Sequence, residues 1–417
     1  MEKSVQILTE QLEWVIIYRI SEVKKRVNPM NIRINTPEGT RDRLFSECLE
    51  RRQVQTVLVE LFRRRGYTEV ITPEVEFYDL FVQSGNPIPQ EAMLKIVDRS
   101  GKLMVMRPDC TAPIARVAAT KLKTRPLPQR LYYDQTVFRD RPAHAGGSRE
   151  IAQCGVELIG AVGDKADLEM VALTVDSLRA CGLERFHIEL GYAGFYRALA
   201  GRMKMEPERL ERLRGAIEGK NFALLNDLLE PYRDREACAA LRRLPYLFGG
   251  VEVLDEAQTL SGPCDSLDFL RRLYGELSAA GYGGYVRFDL GLVHQLDYYT
   301  GLVFRGYAEG AGAPVLSGGR YDGLMEQFGR EAEAIGFAVD VDAVGACLTV
   351  ETPKLEAVIH YGPGLLAQAL AVVDSRPAGS CELSPCRTLE STLNLAREKG
   401  AARVLVLEAG GERWLAV

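Results

Sequence analysis

The sequence predicts an α/β protein with a helical insertion and a small α/β tail. Three observations carry this. Between residues 36 and 190, apolar stripes at helical spacing alternate with short runs rich in β-branched and aromatic residues. Residues 195–280 then read as mostly helical, with the insertion itself at about 195–260, before strand patterns return. After Thr352-Pro353 the texture changes to a compact strand–helix–helix–strand pattern.

In chain order, residues 1–29 read as an appended helix with Leu8, Leu12, Val15, Ile16 and Ile20 on one face. It is either an interaction helix or the product of a start assigned too early, with Met30 the true start; the second reading is preferred, because the motif-bearing chain begins at Asn31. Thr36 to Asp42 is a turn that opens a helix whose stripe is Val54, Val57, Leu58, Leu61 and Phe62, and Gly66 ends it. The strand Glu69–Pro73 follows, then a hairpin of Leu94–Asp98 with Leu103–Met106, and a helix over 112–123. Strands Leu131–Phe138 and Ile151–Ile159 flank a polar loop. A helix from Asp164 to Cys181 leads into the strand Phe186–Leu190. Helices at Glu206–Gly219 and Asp265–Ala280 mark the helical stretch. Strands over 285–307 and 314–319, a helix over 320–330, and a strand then helix over 335–349 complete the main unit, 30–350. The tail, 354–417, holds strands Leu355–Tyr361 and Ala402–Leu407 with helices Gly364–Val373 and Thr388–Lys399 between them.

The 417 residues are enough for two to three domains. Lys plus Arg is 52 against 57 Asp plus Glu, a net charge of -5, so no global basic field supports nucleic-acid binding. The basic residues of the tail (Lys354, Arg376, Arg387, Arg397, Lys399, Arg403 and Arg413) are spread rather than clustered, and no nucleic-acid partner is expected. The apolar run Trp14–Ile17 is far short of the about 20 residues of a membrane span. Without a membrane span or secretory leader pattern, a cytoplasmic location is the expectation. The nine cysteines are scattered, with Cys381 and Cys386 the only close pair, and reduced buried thiols are expected. The four histidines do not cluster, so neither a metal site nor a cofactor is expected.

Four segments carry chemistry: Met106 to Pro113; Val137 to Pro142 with Arg149 to Glu157; Leu292 to Phe304; and Ser317 to Leu324 followed by Ala334 to Ala338. They set short acids (Asp109, Glu157), an amide and a hydroxyl (Gln153, Thr111) and paired tyrosines (Tyr298, Tyr299) on or beside strands. Gln153 and Glu157 are four apart on one strand and therefore share a face. A carboxylate and an amide on one face can hold an ammonium group, and tyrosines can bound a small planar polar ligand. By periodicity alone, a polar sheet face with water-bridged side chains is the more economical reading.

Those segments give the chain its resemblance. From about Thr36 to Leu348 it resembles histidyl-tRNA synthetase, a class II synthetase. Leu296-Asp-Tyr-Tyr-Thr-Gly301 matches all but the first residue of that family's histidine-specific signature, and Gly-Gly-Arg-Tyr-Asp-Gly-Leu324 is equally specific. Pro73 stands where motif 1 has its proline, and Phe138-Arg139 matches the start of motif 2. The resemblance implies a class II antiparallel sheet flanked by helices. It also implies a homodimer core built on motif 1, for which the stripe Val54–Phe62 beside a strand edge is the expected two-fold surface.

The departures fall where adenylation needs positive charge. His294-Gln295 replaces an Arg-Gly pair, Arg141 replaces a Glu, Gly147 replaces an Arg, and Asp340-Val-Asp-Ala343 lacks the terminal Arg of motif 3. One lost electrostatic donor costs about 3–4 kcal/mol in a transition state, so several leave no useful synthetase and no catalytic residue is assigned. The amino-acid pocket is better kept. By resemblance, Asp109, Thr111, Gln153, Glu157, Tyr298, Tyr299 and Tyr321 would bind histidine, with Arg139 a candidate anion contact; Asp109 is one methylene shorter than the family's Glu.

A pocket retained while the nucleotide machinery is lost is the profile of the ATP phosphoribosyltransferase regulatory subunits, synthetase paralogues that the run Arg149 to Gly160 and the short tail also resemble. That family implies a non-catalytic subunit in histidine biosynthesis, with L-histidine as effector. Its partner is the short-form ATP phosphoribosyltransferase catalytic subunit, in a hetero-octamer with four copies of each chain. The alternative is a histidyl-tRNA synthetase-like enzyme with altered adenylation.

Overall fold

The computed structural model describes residues 35–83, 88–140, 148–293 and 298–417. The expected helix over residues 1–29, the polar loop with Arg141 and Gly147, and the pair His294-Gln295 lie outside them.

Helix α1 (Ser46–Arg64) buries Val54, Leu58 and Phe62, three positions spaced by four. Phe62 meets the Phe337 ring edge-on at 5.9 Å. Gly66 ends the helix at a φ of 82°, a conformation open to glycine. Val57 and Leu61 of the same stripe are half-buried and pack against the same core. Exposed apolar side chains of the region include Leu44, Leu49, Phe45 at 81% and Ile71 at 76%.

Strand β1 is only Thr68–Glu69, shorter than the expected Glu69–Pro73. The stretch after it satisfies its backbone through side chains instead: Arg107 and Gln135 both donate to the Thr72 carbonyl, at 2.7 and 2.9 Å. Strands β2 (Val75–Phe77), β3 (Lys95–Val97) and β4 (Leu103–Met106) form a separate antiparallel sheet, with α2 (Tyr78–Gln83) after β2. Then come α3 (Thr111–Ala119), β5 (Gln129–Phe138), β6 (Glu150–Ile159), α4 (Asp164–Ala180) and β7 (Phe186–Tyr192). The helical stretch comprises α5 (Ala193–Met203), α6 (Pro207–Glu218), α7 (Phe222–Leu229), α8 (Ala237–Arg243), the two-residue strand β8 (Phe248–Gly249), α9 (Glu252–Ser261) and α10 (Asp265–Ala279). Strands β9 (Val286–Asp289), β10 (Leu302–Ala308) and β11 (Leu316–Arg320), helix α11 (Asp322–Gln327), β12 (Ala334–Asp340) and α12 (Val341–Gly345) close the main unit.

The large sheet has nine strands in the order β1-β5-β6-β12-β11-β10-β7-β9-β8. It is antiparallel through its centre, as expected, but β1–β5 and β7–β9 pair in parallel. Parallel neighbours need a long crossover, and the helical stretch between β7 and β9 supplies one. Alternation sorts the two faces. On β6, Cys154, Val156 and Leu158 join the main core, while Ile151 and Ile159 join a second cluster with Leu131, Tyr133 and Val137 of β5. Gln153 and Glu157 share parity with that second cluster, so the polar pair points away from the main core.

The tail forms its own four-stranded sheet, β14-β13-β15-β16, from β13 (Ala357–Tyr361), β14 (Cys381–Leu383), β15 (Arg403–Glu408) and β16 (Gly411–Ala416). Helices α13 (Leu366–Asp374) and α14 (Leu389–Glu398) cover opposite faces. The strands β14 and β16 are absent from the sequence reading, because one is three residues long and the other mixes charged and apolar residues without alternation.

Of the nine cysteines, all free, Cys110, Cys154, Cys181 and Cys238 are buried as expected; Cys48 is exposed and the other four are half-buried. Among the described residues, no helix is long and apolar enough to cross a membrane, and no group of three or more His, Cys, Asp or Glu could hold a metal ion.

Candidate functional site

One cavity of about 130 Å³ opens on the face of the sheet away from the main core. Asp109, Thr111, Arg139, Gln153, Glu157, Tyr298, Tyr299 and Tyr321 all line it, so residues up to 212 positions apart (321 against 109) are brought together.

Glu157, on β6, is the centre of the site and is 2% exposed. Thr111, at the first turn of α3, donates its hydroxyl to Oε1 at 2.7 Å, and the Tyr321 hydroxyl donates to Oε2. Burial pushes the Glu157 carboxyl up to about 8; the Tyr321 and Thr111 hydrogen bonds oppose this, and the Asp109 charge adds to it. Burial therefore favours the neutral form of Glu157 more than it would at an ordinary surface carboxyl.

Gly336 makes room for this carboxylate. It lies opposite Glu157 in the β6–β12 register, and a Cβ there would fall 1.8 Å from Oε2. Tyr298 and Tyr321 stack at 5.6 Å with planes 20° apart, and Tyr299 meets Tyr298 edge-on at 5.1 Å. Burial pushes the Tyr298 and Tyr321 hydroxyls well above their ordinary range, so both remain neutral donors. Asp109 Oδ1 accepts from the Ala112 amide at 3.1 Å and so also caps α3. Arg139 is anchored through Nε to the Pro108 carbonyl at 3.0 Å.

A second chamber continues past Arg139, Gln153, Tyr299 and Ser317 to Arg305 and Asp340. Asp340 Oδ1 accepts from the Ala343 amide at 3.0 Å and so caps α12.

Arg320 is not a cavity residue. It is buried beneath the site, held by Asp167 through two bonds of 3.0 Å and by Glu333 at 2.8 Å. Sequence reasoning missed Tyr133, Cys110, Ser317 and Gly336, which also line the cavity. Parity along β5 could have pointed to Tyr133, since residues of one parity share a face. Nothing in the sequence pairs Gly336 with Glu157, because that pairing is a matter of register.

A polar, aromatic-walled cavity on a largely antiparallel sheet flanked by helices defines a class II synthetase-like protein. A family model described as histidyl-tRNA synthetase matches residues 39–344. A crystal structure described as an ATP phosphoribosyltransferase regulatory subunit/histidyl-tRNA synthetase from Bacillus halodurans superposes with a TM-score of 0.77 at 29% identity, over 90% of this chain and 98% of that one. An ATP phosphoribosyltransferase regulatory subunit from Clostridium kluyveri is 41% identical over 322 residues, 75% of this chain and 82% of that one. One of the same name from Bacillus cereus is 36% identical over 389 residues, 90% of this chain and 92% of that one. The chain belongs to the histidyl-tRNA synthetase-like family of ATP phosphoribosyltransferase regulatory subunits.

Proposed function

We propose that this chain is a non-catalytic subunit that activates a short-form ATP phosphoribosyltransferase and relays histidine feedback through the cavity around Glu157. The observation that carries this is the buried Glu157 held by Thr111 and Tyr321 between tyrosine rings. A carboxyl whose neutral form is favoured by burial, and whose charged form a cation would favour, is suited to an imidazole or ammonium group. Gln153 and Asp109 supply further polar contacts, and Arg139 meets the ligand's carboxylate.

The absence of catalysis is supported by the sequence at His294, Gly147 and Ala343, where the synthetase has arginines. Histidine-dependent pyrophosphate exchange by the purified chain should not exceed a no-enzyme control; measurable exchange would favour the altered-synthetase reading. A homodimer core is supported by Phe45, Ile71, Phe77 and Val97, exposed apolar side chains of the N-terminal region. Light scattering on the chain alone at micromolar concentration should give a dimer, and with the catalytic subunit four copies of each.

The deciding experiment is calorimetry with L-histidine on the chain and on Glu157→Gln, with and without the catalytic subunit. Histidine should bind the wild type, and assembly should change its affinity by the same factor by which histidine changes assembly. Equal histidine sensitivity in the two proteins would remove this cavity from feedback.

A further inference from the structure

The paired tyrosines of the cavity, Tyr298 and Tyr299, do not sit on a strand. Between β9 and β10 the described chain has no ladder to fix Tyr298, Tyr299 and Thr300. On one side the Thr300 amide donates to the Arg320 carbonyl at 2.7 Å; on the other, the segment's carbonyls are held by one helix. Arg197 of α5 donates from Nη2 to the Tyr299 carbonyl at 2.7 Å and from Nη1 to the Thr300 carbonyl at 3.3 Å. The Ala193 amide, at the start of the same helix, donates to the Gly301 carbonyl at 2.9 Å. Three successive carbonyls, 299 to 301, thus hang from α5. A guanidinium can bond two adjacent carbonyls with one planar group, which an ammonium cannot do as well.

Helix α5 is in turn tied into the helical insertion. The Tyr196 hydroxyl donates to the Leu210 carbonyl of α6 at 3.1 Å, and Arg202 donates to the Ser261 carbonyl of α9 at 2.7 Å. A second arginine of the insertion, Arg214 of α6, reaches the Val293 carbonyl at 3.4 Å, on the other side of the same connection.

We propose that Arg197 is a positioning residue: by holding the Tyr299 and Thr300 carbonyls it makes the helical insertion set the affinity of the cavity for its amino-acid ligand. This rests on the histidine reading of the cavity. Arg197 touches backbone, and it acts on the ligand only through the placement of the tyrosine rings. Whatever displaces α5 displaces the wall of the cavity, so a protein partner bearing on the insertion would alter ligand binding without touching the ligand.

Two measurements on the full chain test this. In the ligand-free protein, Arg197→Met should raise hydrogen exchange at the amides of residues 299–301 by about 10-fold while leaving β6 unchanged. Calorimetry should show L-histidine binding weakened about 10-fold in Arg197→Met, restored to within about 3-fold of wild type in Arg197→Lys, and weakened less in Arg214→Gln. In a double-mutant cycle with Tyr299→Phe, the combined loss should be smaller than the product of the single losses, because both changes act on one ring. A merely structural arginine would give multiplying losses. Unchanged exchange at 299–301, or losses that multiply, overturns the proposal. If the wild type ignores L-histidine, the histidine reading fails and the affinity claim with it, while the exchange measurement alone decides whether Arg197 fixes the segment.

Discussion

The floor and the wall of the cavity are held by different means. Glu157 and Gln153 stand on β6, with Gly336 opposite on β12, each fixed by backbone ladders on both sides. Tyr298, Tyr299 and Thr300 lie between strands and are fixed mainly by side chains: Arg197 on one side, and on the other the Thr300 hydroxyl on Asp322 at 2.7 Å, beside a single backbone bond from the Thr300 amide to the Arg320 carbonyl. A ladder-held carboxyl cannot step aside to regain water, so burial shows up as a raised pKa. A clamp-held wall can shift when its clamps are changed. The floor is built for chemistry of recognition, and the wall is the part that can be adjusted.

The sharpest way to break this difference is to crowd the floor. Gly336→Ala puts a methyl 1.8 Å from Glu157 Oε2 and 2.5 Å from the Val156 carbonyl. Histidine binding should fall by more than about 100-fold, with a lower melting temperature. Circular dichroism melts beside calorimetry check it; near-normal binding would show that the floor yields.

Glu157→Gln separates recognition from stability. Removing the ionisable partner should weaken histidine binding by roughly 10- to 100-fold. Stability should move the other way with pH. Glu157 titrates near 4.5 in the unfolded chain and at about 8 when folded. Between those values only the unfolded chain releases the proton, so this group progressively favours unfolding as pH rises from 4.5 and carries its full cost above 8. The Gln variant should therefore gain on the wild type across that window, on the order of a few kcal/mol by pH 8.5. Melts at pH 5 and pH 8.5 read the difference directly.

On the wall, Thr300→Val deletes the hydroxyl that donates to Asp322 without touching the cavity lining. About 1 kcal/mol of stability and a fewfold loss of histidine affinity are expected, measured by urea denaturation and calorimetry. The smallest effect belongs to the tail. Trp414 packs against Arg403, with the guanidinium 4.5 Å from its ring centre, on a sheet separate from the cavity. In a Trp14→Phe background, saturating histidine should leave Trp414 emission unchanged; a shift would tie the tail to the site.

How much of this was legible in the sequence follows the same division. The centre of the large sheet could be read because β5 and β6 are long and alternate, and their expected spans differ from the observed ones by two residues or fewer. The short strands β2, β8 and β14 and the non-alternating β16 could not, because their order comes from neighbours rather than from any pattern of their own, and for β1 only its existence, not its bounds, could be read. The apolar stripe of α1 was visible, but its partner was not: the sequence cannot say whether such a stripe meets its own sheet or a second chain.

The sequence by itself determined which chemical groups would meet, since the motif segments carried Asp109, Thr111, Arg139, Gln153, Glu157, Tyr298, Tyr299 and Tyr321 as a set. Tertiary structure alone decided what those groups become. The β6–β12 register sets Gly336 against Glu157, and enclosure away from water pushes that carboxyl's pKa up. The hold of Arg197 on the Tyr299 carbonyl likewise joins residues 102 apart in the chain. Register, desolvation and backbone capture are relations between distant segments, and they exist only once the chain has folded.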